Sequence, residues 1–192
     1  MTFLELLSFH PLTPERWSDF ERLFGPQGAY GGCWCMWWRI TRREFESNGS
    51  DGNRKAMRNL VEAGNIPGIL AYYDDRPVGW CSIAPRPAYG ALERSRILKR
   101  IDDEPVWSIV CFFISMNHRR RGLARALIDA AVEYASSQGA LIVEAYPTNP
   151  RGRDLPPASS FMGVPELFAE NGFKVVADPS ESRRIMRRIL TP

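Results

Sequence analysis

Apolar positions divide the chain into short segments whose spacing changes from one to the next. Thr2 to Phe9 is an apolar run that predicts a strand. Thr13-Pro14-Glu15 follows, a hydroxyl N-cap with a proline at the first helical position, and predicts a helix to about Phe24 that Gly25 closes. Gly25 to Gly52 reads as loop at both ends, after which Ala56, Met57, Leu60 and Val61 recur at helical spacing up to Gly64. Ile69 to Tyr73 and Val78 to Ala84 flank the turn Asp74-Asp75-Arg76-Pro77 and predict a hairpin. From Pro85 to Pro105 the strand pattern lapses into an insert, where Leu92, Arg96 and Lys99 suggest a short exposed helix.

Val106 to Ser115 is near-continuously apolar, as expected of a strand buried on both faces at the centre of a sheet. After Gly122, Leu123, Leu127, Ala130, Ala131 and Tyr134 trace one stripe of a helix that Gly139 ends. Leu141 to Tyr146 predicts a strand, Pro147 to Pro157 a proline-rich loop, and Val164, Leu167 and Phe168 a short helix stopped by Asn171-Gly172. Phe173 to Ala177 predicts a strand. Arg183 to Leu190 fits a helix by the spacing of Ile185 with Ile189 and Met186 with Leu190, and a strand by its place in a terminal hairpin. Alternating strands and helices with a hairpin at each end define a mixed α/β sheet.

With 192 residues, 44% hydrophobic and 24% charged, the composition is that of a globular chain and excludes collagenous and disordered classes. One domain over residues 1–192 is expected at this length. No segment reaches the roughly 18 consecutive apolar residues that span a bilayer. The N-terminus lacks the pattern of a signal peptide, and four cysteines do not make a secreted framework, so a soluble, cytoplasmic, thiol-reduced protein is expected. Cys33-x-Cys35 has no second ligand pair, so no metal is expected.

The net charge of +3 conceals a cationic set that is almost all arginine, with lysine only at Lys55, Lys99 and Lys174. Arg183-Arg184 and Arg187-Arg188 would suit nucleic acid. Without a basic excess over the whole chain, a solvated strand edge explains them more simply, and neither nucleic acid nor membrane is expected as a partner. Asp102-Asp103-Glu104 reads as a solvated turn or as carboxylates for a cationic acceptor.

One arginine group stands apart. The buried strand runs into Met116-Asn117-His118-Arg119-Arg120-Arg121-Gly122-Leu123-Ala124 and then straight into a helix. Unsatisfied N–H groups and the positive dipole end of that helix face the turn, a device for binding phosphate. Glycine and alanine keep the backbone approachable, and the three arginines add charge-assisted donors.

The pattern Arg119-x-x-Gly122-x-Ala124, between a buried strand and an amphipathic helix, resembles the signature of the GCN5-related N-acetyltransferase (GNAT) family. The order of elements around it is also the family's, over essentially the whole chain apart from the insert, and it reads Arg183 to Leu190 as a strand. The runs Cys33-Trp34-Cys35-Met36, Pro105-Val106-Trp107-Ser108-Ile109 and Val143-Glu144-Ala145-Tyr146-Pro147 are similar to a bacterial subgroup of that family. The resemblance implies a central sheet splayed between its fourth and fifth strands and flanked by helices, with acetyl-CoA as donor. Main-chain N–H groups from Arg120 to Ala124 would hold the diphosphate, the pantetheine arm would pair with the strand edge at Phe112, Phe113 and Ile114, and an N–H near Phe113 or Ile114 would meet the thioester carbonyl.

Two positions depart from the family pattern. Phe168 stands where members often carry a tyrosine acid, and Ser108 where some carry a glutamate base. Glu144 and Tyr146, two apart on one strand and so on one face, are the remaining candidates: Tyr146 as proton donor, Glu144 as a base acting through water that Ser108 would help position. The alternatives are a sheet-packing aromatic for Tyr146 and a solvated or arginine-paired carboxylate for Glu144. In the family, the segment between the first two helices walls the acceptor site, here Gly25 to Gly52 with Tyr30, Trp34, Trp37 and Trp38. Those rings would suit a bulky or cationic amine of a small molecule or peptide, or else form a packing core of their own. A non-catalytic acyl-CoA-binding module and a nucleic-acid-binding protein are the competing readings, and the oligomeric state, a homodimer included, is open.

Overall fold

The computed structural model describes residues 2–150, 152 and 161–190. Residues 151 and 153–157 of the proline-rich loop lie outside them. The strands are β1 (Leu7–Pro11), β2 (Gly68–Tyr73), β3 (Arg76–Pro85), β4 (Trp107–Ile114), β5 (Ile142–Ala145), β6 (Lys174–Ser180) and β7 (Arg183–Ile189). They form one sheet in the order β1-β2-β3-β4-β5-β7-β6. All neighbours are antiparallel except β4 and β5, which pair in parallel from Trp107↔Val143 to Ile109↔Ala145. β4 runs on to Ile114 while β5 ends at Ala145, so the two part halfway along β4.

The helices are α1 (Trp17–Phe24), α2 (Arg42–Glu62), α3 (Gly90–Glu93), α4 (Leu123–Ser137) and α5 (Pro165–Glu170). The apolar stripe of α4 (Leu123, Leu127, Ala131) packs on one face of the sheet together with Phe168 of α5. α1 and α2 cover the other face through Phe20, Phe24, Met57 and Val61 against Leu70 and Trp80. Next to them the insert packs Tyr89, Leu92 and Leu98 on Val110 and Tyr146. Register slips between Ser82↔Cys111 and Ile83↔Ile109, which makes Val110 an extra residue, a β-bulge in β4. Trp107, Ile109, Phe112 and Ile114 thus pack toward α4, while Val110, Cys111 and Phe113 join the clusters on the opposite face.

Several expectations change. The first strand begins only at Leu7, after a 3₁₀ turn over Leu4–Leu6, because β2 offers partners only for Leu7 to Pro11. α1 is preceded by a 3₁₀ turn over Pro14–Arg16, and Thr13 makes no side-chain cap. α2 begins at Arg42, well inside the stretch read as loop, on a capping box: Glu44 N–H donates to Thr41 Oγ1 (3.2 Å) and Thr41 N–H to Glu44 Oε2 (2.7 Å). Gly49, at φ +59° and ψ −167°, interrupts its helical dihedrals, and the apolar spacing fails there for the same reason. In the insert, α3 ends at Glu93, so Arg96 and Lys99 are not helical, and Leu92 and Leu98 are buried rather than exposed. β7 lies between β5 and β6, so the arginine-rich segment is no sheet edge. Among the described residues no helix is long and apolar enough to cross a membrane.

Candidate active site

β4 leaves the sheet through Ser115 and a 3₁₀ turn over Met116–His118, and reaches α4 across Arg119 to Gly122. Arg120 (φ +59°) and Gly122 (φ +82°) are both left-handed, which makes the turn into α4 a sharp one. No side chain caps α4. Its first N–H groups, at Leu123 and Ala124, therefore have no capping side chain, and the positive end of the helix dipole lies at the turn. A Cβ on Gly122 would meet only the Leu4 side chain at 3.4 Å, an ordinary contact, so positive φ rather than crowding calls for glycine there. The arginines are exposed and differ in use. Arg119 Nε donates to Ile114 O (2.9 Å), closing the turn on the strand end, and the Arg121 guanidinium lies 3.8 Å over the Phe3 ring. His118 shares a hydrogen bond with Ser115 Oγ (2.7 Å), and burial followed by the Arg121 charge lowers its pKa.

The edge of β4 beyond the bulge has a defined polarity. Ser115 N–H donates to Val78 O on the β3 side, whereas Phe112 N–H donates away from β3 to Phe161 O (2.6 Å). By strand alternation Phe113 N–H faces β3 like that of Ser115, and Ile114 N–H faces the parting edge with that of Phe112. Of the two N–H groups named for the thioester carbonyl, that of Ile114 faces the parting edge and that of Phe113 faces β3. The Phe113 ring packs on Phe24, and Phe112 packs on Phe168.

Ser108, Glu144 and Tyr146 are brought together with two residues that sequence reasoning missed, Arg86 and Arg187. The Tyr146 hydroxyl donates to Glu144 Oε1 (2.6 Å), accepts from Arg86 Nη1 (2.9 Å) and shares a hydrogen bond with Ser108 Oγ (2.7 Å). Arg86 Nη1 also reaches Glu144 Oε1 (2.9 Å), its Nη2 donates to Leu98 O (2.7 Å), and its Nε to Glu93 Oε1 (2.6 Å). Arg187 donates from Nε to Glu144 Oε2 (2.7 Å) and grips Asp102 with both terminal nitrogens (2.6 and 2.9 Å). Glu144 is 1% exposed and Tyr146 fully enclosed. Burial first, then the Glu144 carboxylate, pushes the Tyr146 phenol well above its ordinary value, with Arg86 and Ser108 pulling the other way. Glu144 is the paired carboxylate of the two alternatives, since a guanidinium sits on each of its oxygens. Nothing in the local pattern around Arg86 marks it, because Glu144 and Tyr146 lie about 60 residues on.

The aromatic segment divides. Trp34 is core, 3% exposed, stacked on Phe24 and donating Nε1–H to Ser50 Oγ (3.0 Å). Trp37 is partly exposed against Phe45, and Tyr30, 71% exposed, stands apart. Trp38 packs beside the cluster that holds Tyr146, and its buried indole N–H has no protein partner. Cys35 is buried and accepts from Trp80 Nε1–H (3.2 Å); a hydrogen bond from Cys111, with Arg39, Ser82 and Trp80, lowers its thiol to about 6. Among the described residues no group of three or more His, Cys, Asp or Glu side chains is placed to hold a metal ion. The terminal arginines turn to internal partners: Arg183 to Thr148 and Met162, Arg184 to Asp178, and Arg188 to Asn171 O.

A mixed sheet thus parts between its parallel pair, with an uncapped helix beginning on a basic turn beside the gap, the arrangement that the sequence resemblance implied. The chain belongs to the acetyltransferase (GNAT) family, whose sequence model matches residues 34–155. No curated protein matches it in sequence. Among solved structures, the fold is similar to a PaiA N-acetyltransferase from Thermoplasma acidophilum in complex with coenzyme A (14% identity, 96% of this chain and 99% of that one, TM-score 0.54). It is similar as well to a GNAT-family acetyltransferase from Listeria monocytogenes (10%, 96% and 95%, 0.59). A third is a ribosomal-protein-alanine N-acetyltransferase from Brucella melitensis (16%, 95% and 99%, 0.54). At these identities the likeness is one of fold.

Proposed function

We propose that the chain is an acetyl-CoA-dependent N-acetyltransferase of the bacterial subgroup its sequence resembles, acting by direct transfer on a primary amine of a small molecule or peptide. The observation that carries this reading is the uncapped N-terminus of α4, set on the Arg119–Ala124 turn where β4 parts from β5. Backbone N–H groups from Arg120 to Ala124 would hold the diphosphate, with Arg119, Arg120 and Arg121 as flanking charge. The edge donors of β4 at Phe112 and Ile114 would hold the pantetheine arm and the thioester carbonyl, where negative charge grows as the amine attacks. When bound, acetyl-CoA supplies the thioester. Phe168 is buried in the core against Phe173 and has no proton to give. Tyr146 is the proton donor in this proposal, with Arg86, Glu144 and Ser108 as positioning residues that hold its hydroxyl. Trp38, with its unpartnered N–H, lines the acceptor side together with Trp37.

Isothermal titration with acetyl-CoA tests the site. The wild type should bind and Gly122→Glu should not, because a side chain at φ +82° strains the turn and its carboxylate repels the diphosphate. Equal binding by the two proteins would sink the assignment. The enclosed Tyr146 hydroxyl favours a second reading, a non-catalytic acyl-CoA sensor. Thiol release over a panel of primary amines separates the two, since a sensor binds without turnover.

A further inference from the structure

We infer that Phe161–Gly163 is an internal strap seated in the acyl-CoA slot, which the coenzyme must displace in order to bind; this rests on the reading of the coenzyme site just given. Phe112 N–H faces the gap beyond Ile109↔Ala145, the last parallel pair, and Phe161 O sits on it at 2.6 Å. On the far side of the gap, past the end of β5, Thr148 N–H donates to Gly163 O (2.9 Å). The three residues therefore span from β4 to the chain leaving β5, with Phe161 O accepting on one side and Gly163 O on the other.

The seat is built rather than incidental. Met162 is 1% exposed, clustered with Val110, Tyr146 and Ile185, and its sulfur lies 3.0 Å from Arg183 Nη1. Arg183 also donates to Thr148 Oγ1 (2.8 Å), so one side chain ties the strap to the chain leaving β5. Gly163 has φ +77°, and a Cβ there would lie 2.8 Å from the Phe168 ring, so only glycine lets the strap pass so close to α5.

A carbonyl oxygen on this donor has the chemistry that a thioester or pantetheine-amide carbonyl would bring. One N–H filled at 2.6 Å has no room for a second acceptor, so strap and coenzyme exclude each other. The apparent dissociation constant is then the intrinsic one divided by the fraction of molecules with the strap out.

Stopped-flow tryptophan fluorescence with acetyl-CoA, and hydrogen exchange of a peptide covering Phe161 to Val164, test the strap on the intact protein. Expected are an observed rate that saturates with acetyl-CoA concentration and faster exchange of that peptide at saturation. Met162→Ala, checked for folding by its circular dichroism melt, should raise the plateau and tighten binding by about fivefold or more as the closed state loses its anchor. Met162→Leu, which refills the seat, should restore slow binding. A rate linear in concentration, with exchange unchanged or slowed and no gain in Met162→Ala, overturns the strap alone. Absence of binding in both wild type and Met162→Ala overturns the coenzyme site itself, and the strap with it.

Discussion

Glu144 holds the polar cluster together, because its carboxylate bridges two almost wholly buried guanidiniums, whose remaining charge Glu93 and Asp102 balance. Glu144→Gln would leave Arg86 and Arg187 facing a neutral amide, and breaking a buried pair from one side costs about 3–5 kcal/mol. Urea unfolding should record that loss, and an unchanged midpoint would show that the insert residues Glu93 and Asp102 suffice as counter-ions. Tyr146→Phe tests chemistry rather than charge. It should lower the turnover rate by about 100-fold or more, the scale of a lost general acid, while acetyl-CoA affinity stays within about twofold. Full turnover in that variant would make the hydroxyl purely structural. Glu144 and Tyr146 were legible as partners because residues two apart share a strand face. Arg86 was not, since a single arginine in an aperiodic insert carries no local mark of where its side chain ends.

Among elements, the strand–turn–helix from Val106 to Ala135 was the most legible, its apolar run and stripe each matching one regular period. α2 was the least, although Thr41-x-x-Glu44 is a helix-start signature in plain view. Its first turns are polar and contain Gly49, so periodicity fails where capping succeeds. Thr41→Ala removes the oxygen that accepts Glu44 N–H and should cost about 1 kcal/mol in chemical denaturation. A variant as stable as the parent would place the start of α2 under tertiary rather than capping control. The parting of β4 from β5 belongs to the same scale, because its cause is a mismatch in element length and no single residue encodes it.

At the scale of the whole molecule, the insert is held to the sheet by ion pairs that bridge distant segments, Arg86 with Glu144 and Arg187 with Asp102, while Arg86 with Glu93 braces the insert itself. The hydrogen bonds from Arg187 hold the Asp102 carboxyl below its ordinary range. A carboxylate whose pKa is depressed by folding adds stability above its unfolded value, near 4, and that stability is lost as pH falls through the folded pKa. Unfolding midpoints measured from pH 7 down to 3 should therefore fall less steeply in Asp102→Asn than in the wild type. Parallel curves would mean that the pair contributes nothing to the acid limb.

Local pattern by itself determined the class of fold, the central strand and the basic turn that opens α4, because burial period and glycine φ act over a few adjacent residues. Tertiary structure alone decided which residues surround Tyr146, that Trp34 is core while Trp38 packs beside the Tyr146 cluster, and that Phe161 O lies on the Phe112 N–H. Each of these depends on where segments far apart in the chain come to rest, and the packing of the whole sheet and its helices sets that position.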